Sequence, residues 1–166
     1  ARGWRRNRLS TASGFTVDGI GLDVAMRGAK LGNYRPDVII FDDIDDSTDG
    51  PERVVRKEQA ITTKILPAGS ADVAVLVAQN LVHRNGIVSQ LVDGRADFMV
   101  HRIISGPHPA ITDLVTEGAG MDAVIVEGVP TWDVLGIAEC QAKIGLMGLR
   151  AFLSECQHQV ELSGQP

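Results

Sequence analysis

Asp37-Val38-Ile39-Ile40-Phe41-Asp42-Asp43 is the stretch on which the reading of this chain turns. Four consecutive apolar residues stand between Pro36 and a run of acids, the pattern of a buried strand in a parallel sheet. Such a strand delivers its last residues to the carboxyl edge of the sheet, where open α/β sheets bind ligands. Two adjacent carboxylates at that edge can divide chemical work. Asp42 offers hard oxygen to Mg²⁺, directly or through water. Asp43 can orient or deprotonate a water that attacks a γ-phosphate. Four apolar residues, an Asp and a second acid make the Walker B arrangement. The same residues also read as an acidic βα loop, with Asp49 capping the next helix and Asp45 and Asp46 as solvated loop acids.

Outward from this stretch, strands and helices alternate. Residues 9–17 alternate polar and β-branched side chains and predict a strand ending near Gly19, with a second short strand over residues 19–24. Arg27-Gly28 opens a polar loop through Asn33. Downstream, Pro51 suits a first helical position and predicts a helix to about Thr63. Pro67 and Gly69 make a turn. Residues 71–78 read as a second buried strand, 85–92 as a short helix with Ile87 and Leu91 inward, and 98–104 as a third strand before a Ser105-Gly106-Pro107 turn. Residues 123–126 read as a fourth strand. Residues 131–160 read as helical, divided at Gly145 and Gly148, with Cys140, Leu146, Leu149, Phe152 and Leu153 as core. The alternation predicts an α/β domain with a mostly parallel sheet and flanking helices.

Composition agrees with a globular domain. The 166 residues are 44% hydrophobic and 22% charged, enough for one core. With four Phe, two Trp and one Tyr, the core is expected to be mostly aliphatic. A net charge of −5 argues against a wholly basic nucleic-acid wrapper. Charge is nonetheless uneven: Arg2, Arg5, Arg6 and Arg8 crowd one end and Asp42, Asp43, Asp45, Asp46 and Asp49 one loop, so anions and cations would be held at different places. The arginines around Trp4 read as DNA-phosphate contacts or as a solvated tail. Cys140 and Cys156 lack metal-ligand spacing and read as buried thiols of a reducing compartment. His83, His101, His108 and His158 share no ligand spacing, and His83 reads as a satisfied loop histidine. No apolar run reaches membrane-spanning length.

Around the acidic strand the chain resembles the large terminase family, the ATPase subunit of viral DNA-packaging motors. Leu22-Asp23-Val24-Ala25-Met26-Arg27-Gly28, then Tyr34-Arg35-Pro36-Asp37, the acidic strand and Ile44-Asp45-Asp46 carry the likeness. Val75-Leu76-Val77-Ala78-Gln79-Asn80-Leu81-Val82-His83-Arg84-Asn85-Gly86-Ile87 resembles the strand, loop and helix that couple hydrolysis to movement in that family. Ala151-Phe152-Leu153-Ser154-Glu155-Cys156-Gln157-His158 resembles the helix closing its ATPase domain. The likeness is weakest over residues 110–122.

The resemblance implies a P-loop NTPase-like fold that lacks, in this chain, its first strand and phosphate-binding loop. Residues 1–160 would be part of the ATPase domain and 161–166 the start of a linker to a nuclease domain. It implies an ATP hydrolase in the full-length protein, with Mg²⁺ and with ATP as substrate, moving double-stranded DNA into a procapsid in the host cytoplasm. Implied partners are the portal protein, the small terminase subunit and further copies in a homo-oligomeric ring, with no membrane. Asp42 would serve the metal, Asp43 the attacking water, Arg27 as an arginine finger, and Gln79 and Asn80 as coupling amides. Arg27 also reads as half of a surface ion pair, Arg35 as positional, and the two amides as a strand cap. Three features depart from the family pattern. Asp43 stands where many relatives carry Glu, Asn80-Leu81-Val82 replaces a small hydroxyl and an Arg-aromatic pair, and no G-x-x-x-x-G-K-[ST] occurs. Two other classes share the acid pair. A Mg²⁺-dependent nuclease or phosphohydrolase built on Asp42 and Asp43 needs further acids, and Asp72 and Asp97 stand at predicted strand starts. A receiver-like signalling module needs a Lys at a late strand end, whereas Lys143 falls in a predicted helix.

Overall fold

The computed structural model describes residues 7–22 and 35–159. Three two-stranded sheets and four α-helices make up the described chain, which divides into two compact units. The first contains the described residues up to Ile44 together with Gly50–Ala78. The second contains Asp45–Asp49 together with the described residues from Gln79 onward. Among the described residues no helix is long and apolar enough to cross a membrane.

In the first unit, the expected strand over residues 9–17 is instead a hairpin of β1 (Arg8–Ser10) and β2 (Thr16–Asp18). The chain reverses at Gly14, whose φ of 95° suits a residue without a Cβ, and Thr11 N–H donates to Phe15 O. Ser13-Gly14 is the turn signal that alternation alone overlooked. Arg8 and Asp18 face each other at the open end, Nε to Oδ1 at 2.5 Å and Nη2 to Oδ2 at 2.6 Å. The hydrogen bonds that Arg8 donates hold the Asp18 carboxyl below its ordinary range, and the carboxylate that accepts them raises the guanidinium. In water such a pair orients the strands more than it stabilises them. No strand occurs over residues 19–22; the rest of that predicted element lies outside the described residues.

β3 (Val38–Asp42) and β4 (Ala74–Ala78) pair in parallel, in a register that sets Asp42 opposite Ala78. Ile39 and Phe41 are buried, whereas Val38, Ile40 and Leu76 on the other face are 52%, 65% and 57% exposed. Between the strands runs α1 (Pro51–Ala60), with Pro51 in its first turn as expected. Its cap is Gly50, without a side-chain bond; Asp49 instead accepts the Asp46 N–H. Val54, Lys57 and Ile61 recur at helical spacing and are buried. Lys57 buries its stem and donates from Nζ to Ile44 O at 2.7 Å. Past Ala60 the helix widens into a π-turn (Ile61–Ile65) and tightens into a 3₁₀ turn (Leu66–Ala68). The hydroxyls of Thr62 and Thr63 donate to the carbonyls of Glu58 and Gln59, a competition that loosens a regular ladder. Arg35 is positional: Nη1 donates to the carbonyls of Pro67 and Gly69.

In the second unit α2 (Ile87–Asp93) forms as predicted and buries Ile87, Val88 and Leu91. The strand expected over 98–104 is absent: this segment is irregular, with Ile103 99% exposed. The next strand is β5 (Ile111–Glu117), in the stretch where the family likeness was weakest. It pairs antiparallel with β6 (Val124–Pro130). Of the three sheets, then, one is parallel and two are antiparallel among the described residues. α3 (Ile137–Met147) runs through Gly145, and only Gly148, at φ 84°, separates it from α4 (Leu149–Gln157). Ala110, Ile111, Ala123, Cys140, Ile144 and Phe152 form the core here, with Leu149 packed against it. Leu146, expected in that core, is 80% exposed.

Gln141 on α3 lies against the outer edge of β6. Ile125 N–H donates to its Oε1 and its Nε2 donates to Ala123 O, both at 2.8 Å. We expect Gln141→Leu, which keeps the side-chain bulk, to cost about 1–3 kcal/mol in urea unfolding at unchanged m, because two main-chain groups lose their partner. Burial pushes the Cys140 and Cys156 thiols up. A raised folded-state value means stability is intact below the unfolded-chain value, about 8.5, and is lost as pH rises through the folded values. Unfolding midpoints above pH 8.5 should therefore fall more steeply for the native chain than for a Cys140→Ala/Cys156→Ala variant.

Candidate functional site

β3 places Asp42 and Asp43 where its ladder ends. Asp42 is the last strand residue and projects on the exposed face, because Ile39 and Phe41 take the buried one. Asp43 turns out of the strand. Its N–H donates to Ala78 O at 3.2 Å, one pairing beyond the strand itself, and its φ is 47°. That left-handed backbone is unusual for a residue with a Cβ, and Asp and Asn tolerate it best. Two consecutive exposed acids thus stand at one strand end. Neither carboxylate has a hydrogen-bond or ion-pair partner among the described residues.

A Mg²⁺ bound with a nucleotide takes one or two carboxylates and completes its octahedron with water and phosphate oxygens. The Asp42 carboxylate, exposed and unpartnered among the described residues, fits that donor role. Groups of three or more His, Cys, Asp or Glu able to hold a metal by themselves do not occur among the described residues.

The other predicted positions separate. Arg27 lies outside the described residues. Gln79 and Asn80 follow Ala78 directly in the chain and belong to the second unit. Asn80 Nδ2 donates to Glu155 O on α4 at 3.2 Å, so it ties its loop to a helix end. The Gln79 amide is used twice on one residue. Asp45 N–H donates to its Oε1 at 2.8 Å, and its Nε2 donates to Asp45 O at 2.9 Å. Residues 98–104, read as a third strand, form none, so that segment brings no strand end to this edge.

Asp45 corrects the expectation of a solvated loop acid. It is buried, and its carboxylate accepts the N–H groups of Ile87 at 2.9 Å and Val88 at 2.8 Å. Asp46 is exposed and accepts from the Thr48 N–H and hydroxyl, a local turn. The sequence signal for Asp45 was indirect. α2 begins after Gly86, which has no side chain to cap it, so its first N–H groups need an acceptor from elsewhere. His83 is not the satisfied histidine expected: its Nδ1 is buried without a partner among the described residues, although its carbonyl accepts from Gly86 N–H and Ser89 Oγ.

Comparison of the chain with models of protein families, with curated proteins and with solved structures finds no match.

The backbone and the charge of Asp43 can be tested separately. Asp43→Asn keeps a residue suited to φ 47° and should leave stability within about 0.5 kcal/mol. Asp43→Ala should cost about 1 kcal/mol, from a left-handed residue with no local polar compensation. Equal unfolding midpoints for the two variants would show that the left-handed backbone costs Ala no more than Asn.

Proposed function

We propose that this chain is the later part of the ATPase domain of a phage large terminase, which couples ATP hydrolysis to movement of double-stranded DNA into a procapsid. One observation carries the reading: an acid pair leaves the carboxyl end of a parallel strand pair, in register with the strand that runs straight into Gln79-Asn80. Parallel sheets gather ligand chemistry at that end. Asp42 would hold Mg²⁺, which when bound neutralises charge on the phosphates. Asp43, the left-handed residue that follows the strand, would orient the attacking water and accept its proton. Arg27 would neutralise charge developing on the transferred phosphoryl group. Gln79 and Asn80 occupy the coupling position. The fold that goes with this reading is a P-loop NTPase-like sheet of which β3–β4 is one part. DNA, the portal protein, the small subunit and ring neighbours are partners of the same reading.

The 166 residues contain no phosphate-binding glycine loop, and a backbone cradle supplies much of the grip on a nucleotide. Titration calorimetry of this chain with ATP and Mg²⁺ should therefore give no micromolar binding; a micromolar isotherm would place the nucleotide site elsewhere. In the intact protein, Asp42→Asn should abolish Mg²⁺-dependent hydrolysis. Arg27→Ala should lower kcat about a thousandfold, with a much smaller effect on ATP binding, and Arg27→Lys should rescue poorly because it lacks the planar fork. Mixing Arg27→Ala with Asp42→Asn chains should restore turnover if the finger crosses between subunits. An intact protein that does not hydrolyse ATP overturns the reading, and near-normal turnover of Arg27→Ala removes the finger.

A further inference from the structure

Asp45 is held at both its main chain and its side chain, by different parts of one segment. The Gln79 amide brackets its N–H and C=O, as a neighbouring strand would. Its carboxylate spans the first two N–H groups of α2, Ile87 and Val88. Gly86 fits because it has no side chain: a Cβ there would lie 2.5 Å from Asp45 Oδ2. Burial makes each bond costly to lose, since an ionised carboxylate without donors pays a desolvation penalty. The loop Asp45–Asp49 and the segment from Gln79 to α2 are thus joined through one residue, in the same compact unit.

We infer that Asp45 is a positioning residue that locks the acidic loop to the start of α2, and that Gln79 acts through it rather than on a ligand. Both polar atoms of the Gln79 amide are already committed to the Asp45 main chain. A change at Gln79 therefore reaches Ile87 and Val88, which Gln79 does not bond, by releasing the backbone that aims the Asp45 carboxylate. The lock itself needs no nucleotide; its consequence for turnover rests on the ATPase reading above.

Amide hydrogen exchange of the 166-residue chain, followed by NMR, tests the lock. Asp45→Ala should speed exchange at Ile87 and Val88 about tenfold or more, the loss of a bond to a charged acceptor. Gln79→Met, nearly isosteric and unable to bracket, should speed the same two amides to a similar degree. The double variant should be no faster than the worse single one, because both changes break one chain of contacts. The Ile125 amide, bonded to Gln141, is the control and should not change. Native exchange at Ile87 and Val88 in Gln79→Met, additive effects in the double variant, or equal acceleration at Ile125 would each overturn the proposal. In the intact protein Gln79→Met should lower kcat with KM for ATP held, whereas a rise in KM would return Gln79 to the nucleotide. An intact protein without ATPase activity would remove the reading and leave the exchange result standing.

Discussion

A strand in a two-stranded sheet leaves the main-chain groups of its outer edge without a strand partner, and an unpaired polar group is expensive wherever water is excluded. This constraint organises the second unit. Gln141 brackets Ala123 and Ile125 on the edge of β6. The Gln157 amide, with its nitrogen toward Ile111 O at 2.9 Å and its oxygen toward Ile111 N at 3.1 Å, does the same for β5. Gln79 repeats the geometry on Asp45, outside any sheet. A primary amide has a donor and an acceptor side by side, the spacing that one residue of a neighbouring strand would offer. Helices and loops therefore supply what a third strand would have supplied, which is why α3 and α4 seat firmly on a sheet of only two strands.

The acid pair depends on a different balance. Parallel pairing sets Asp42 opposite Ala78, and one further bond, Asp43 N–H to Ala78 O, fixes where the strand stops. The chain leaves that point through a left-handed residue. Asp42 is the last residue of the strand alternation, and Asp43, at φ 47°, lies outside it. Backbone strain of this kind tends to sit where side-chain direction matters for function.

β3 and β4 also leave Val38, Ile40 and Leu76 on an exposed face. Parallel strands normally have both faces covered, and their near-continuous apolar sequence reflects that. The sequence of β3 is written for two covered faces, while the described residues bury Ile39 and Phe41 on one. The same apolar run that predicted a strand thus carries more hydrophobic surface than the first unit uses.

Local patterns determined the elements whose signals are local. The apolar run of β3, Pro51 at the start of α1, the Ile87 and Leu91 face of α2 and the glycine break at 148 are legible in sequence because each depends on residues within a turn or two. Asp42 and Asp43 at a strand end follow from the same run. Tertiary structure decided the rest. The hairpin at Gly14 and the strand β5 depend on partners that periodicity does not name, and the apolar 98–104 stretch formed no strand because none pairs with it. The role of Asp45 was hidden for a sharper reason: its ligands, Gln79, Ile87 and Val88, lie 34 to 43 residues away. A carboxylate in an acidic loop looks solvated until the fold closes over it, and only the closed fold shows which uncapped helix end it serves.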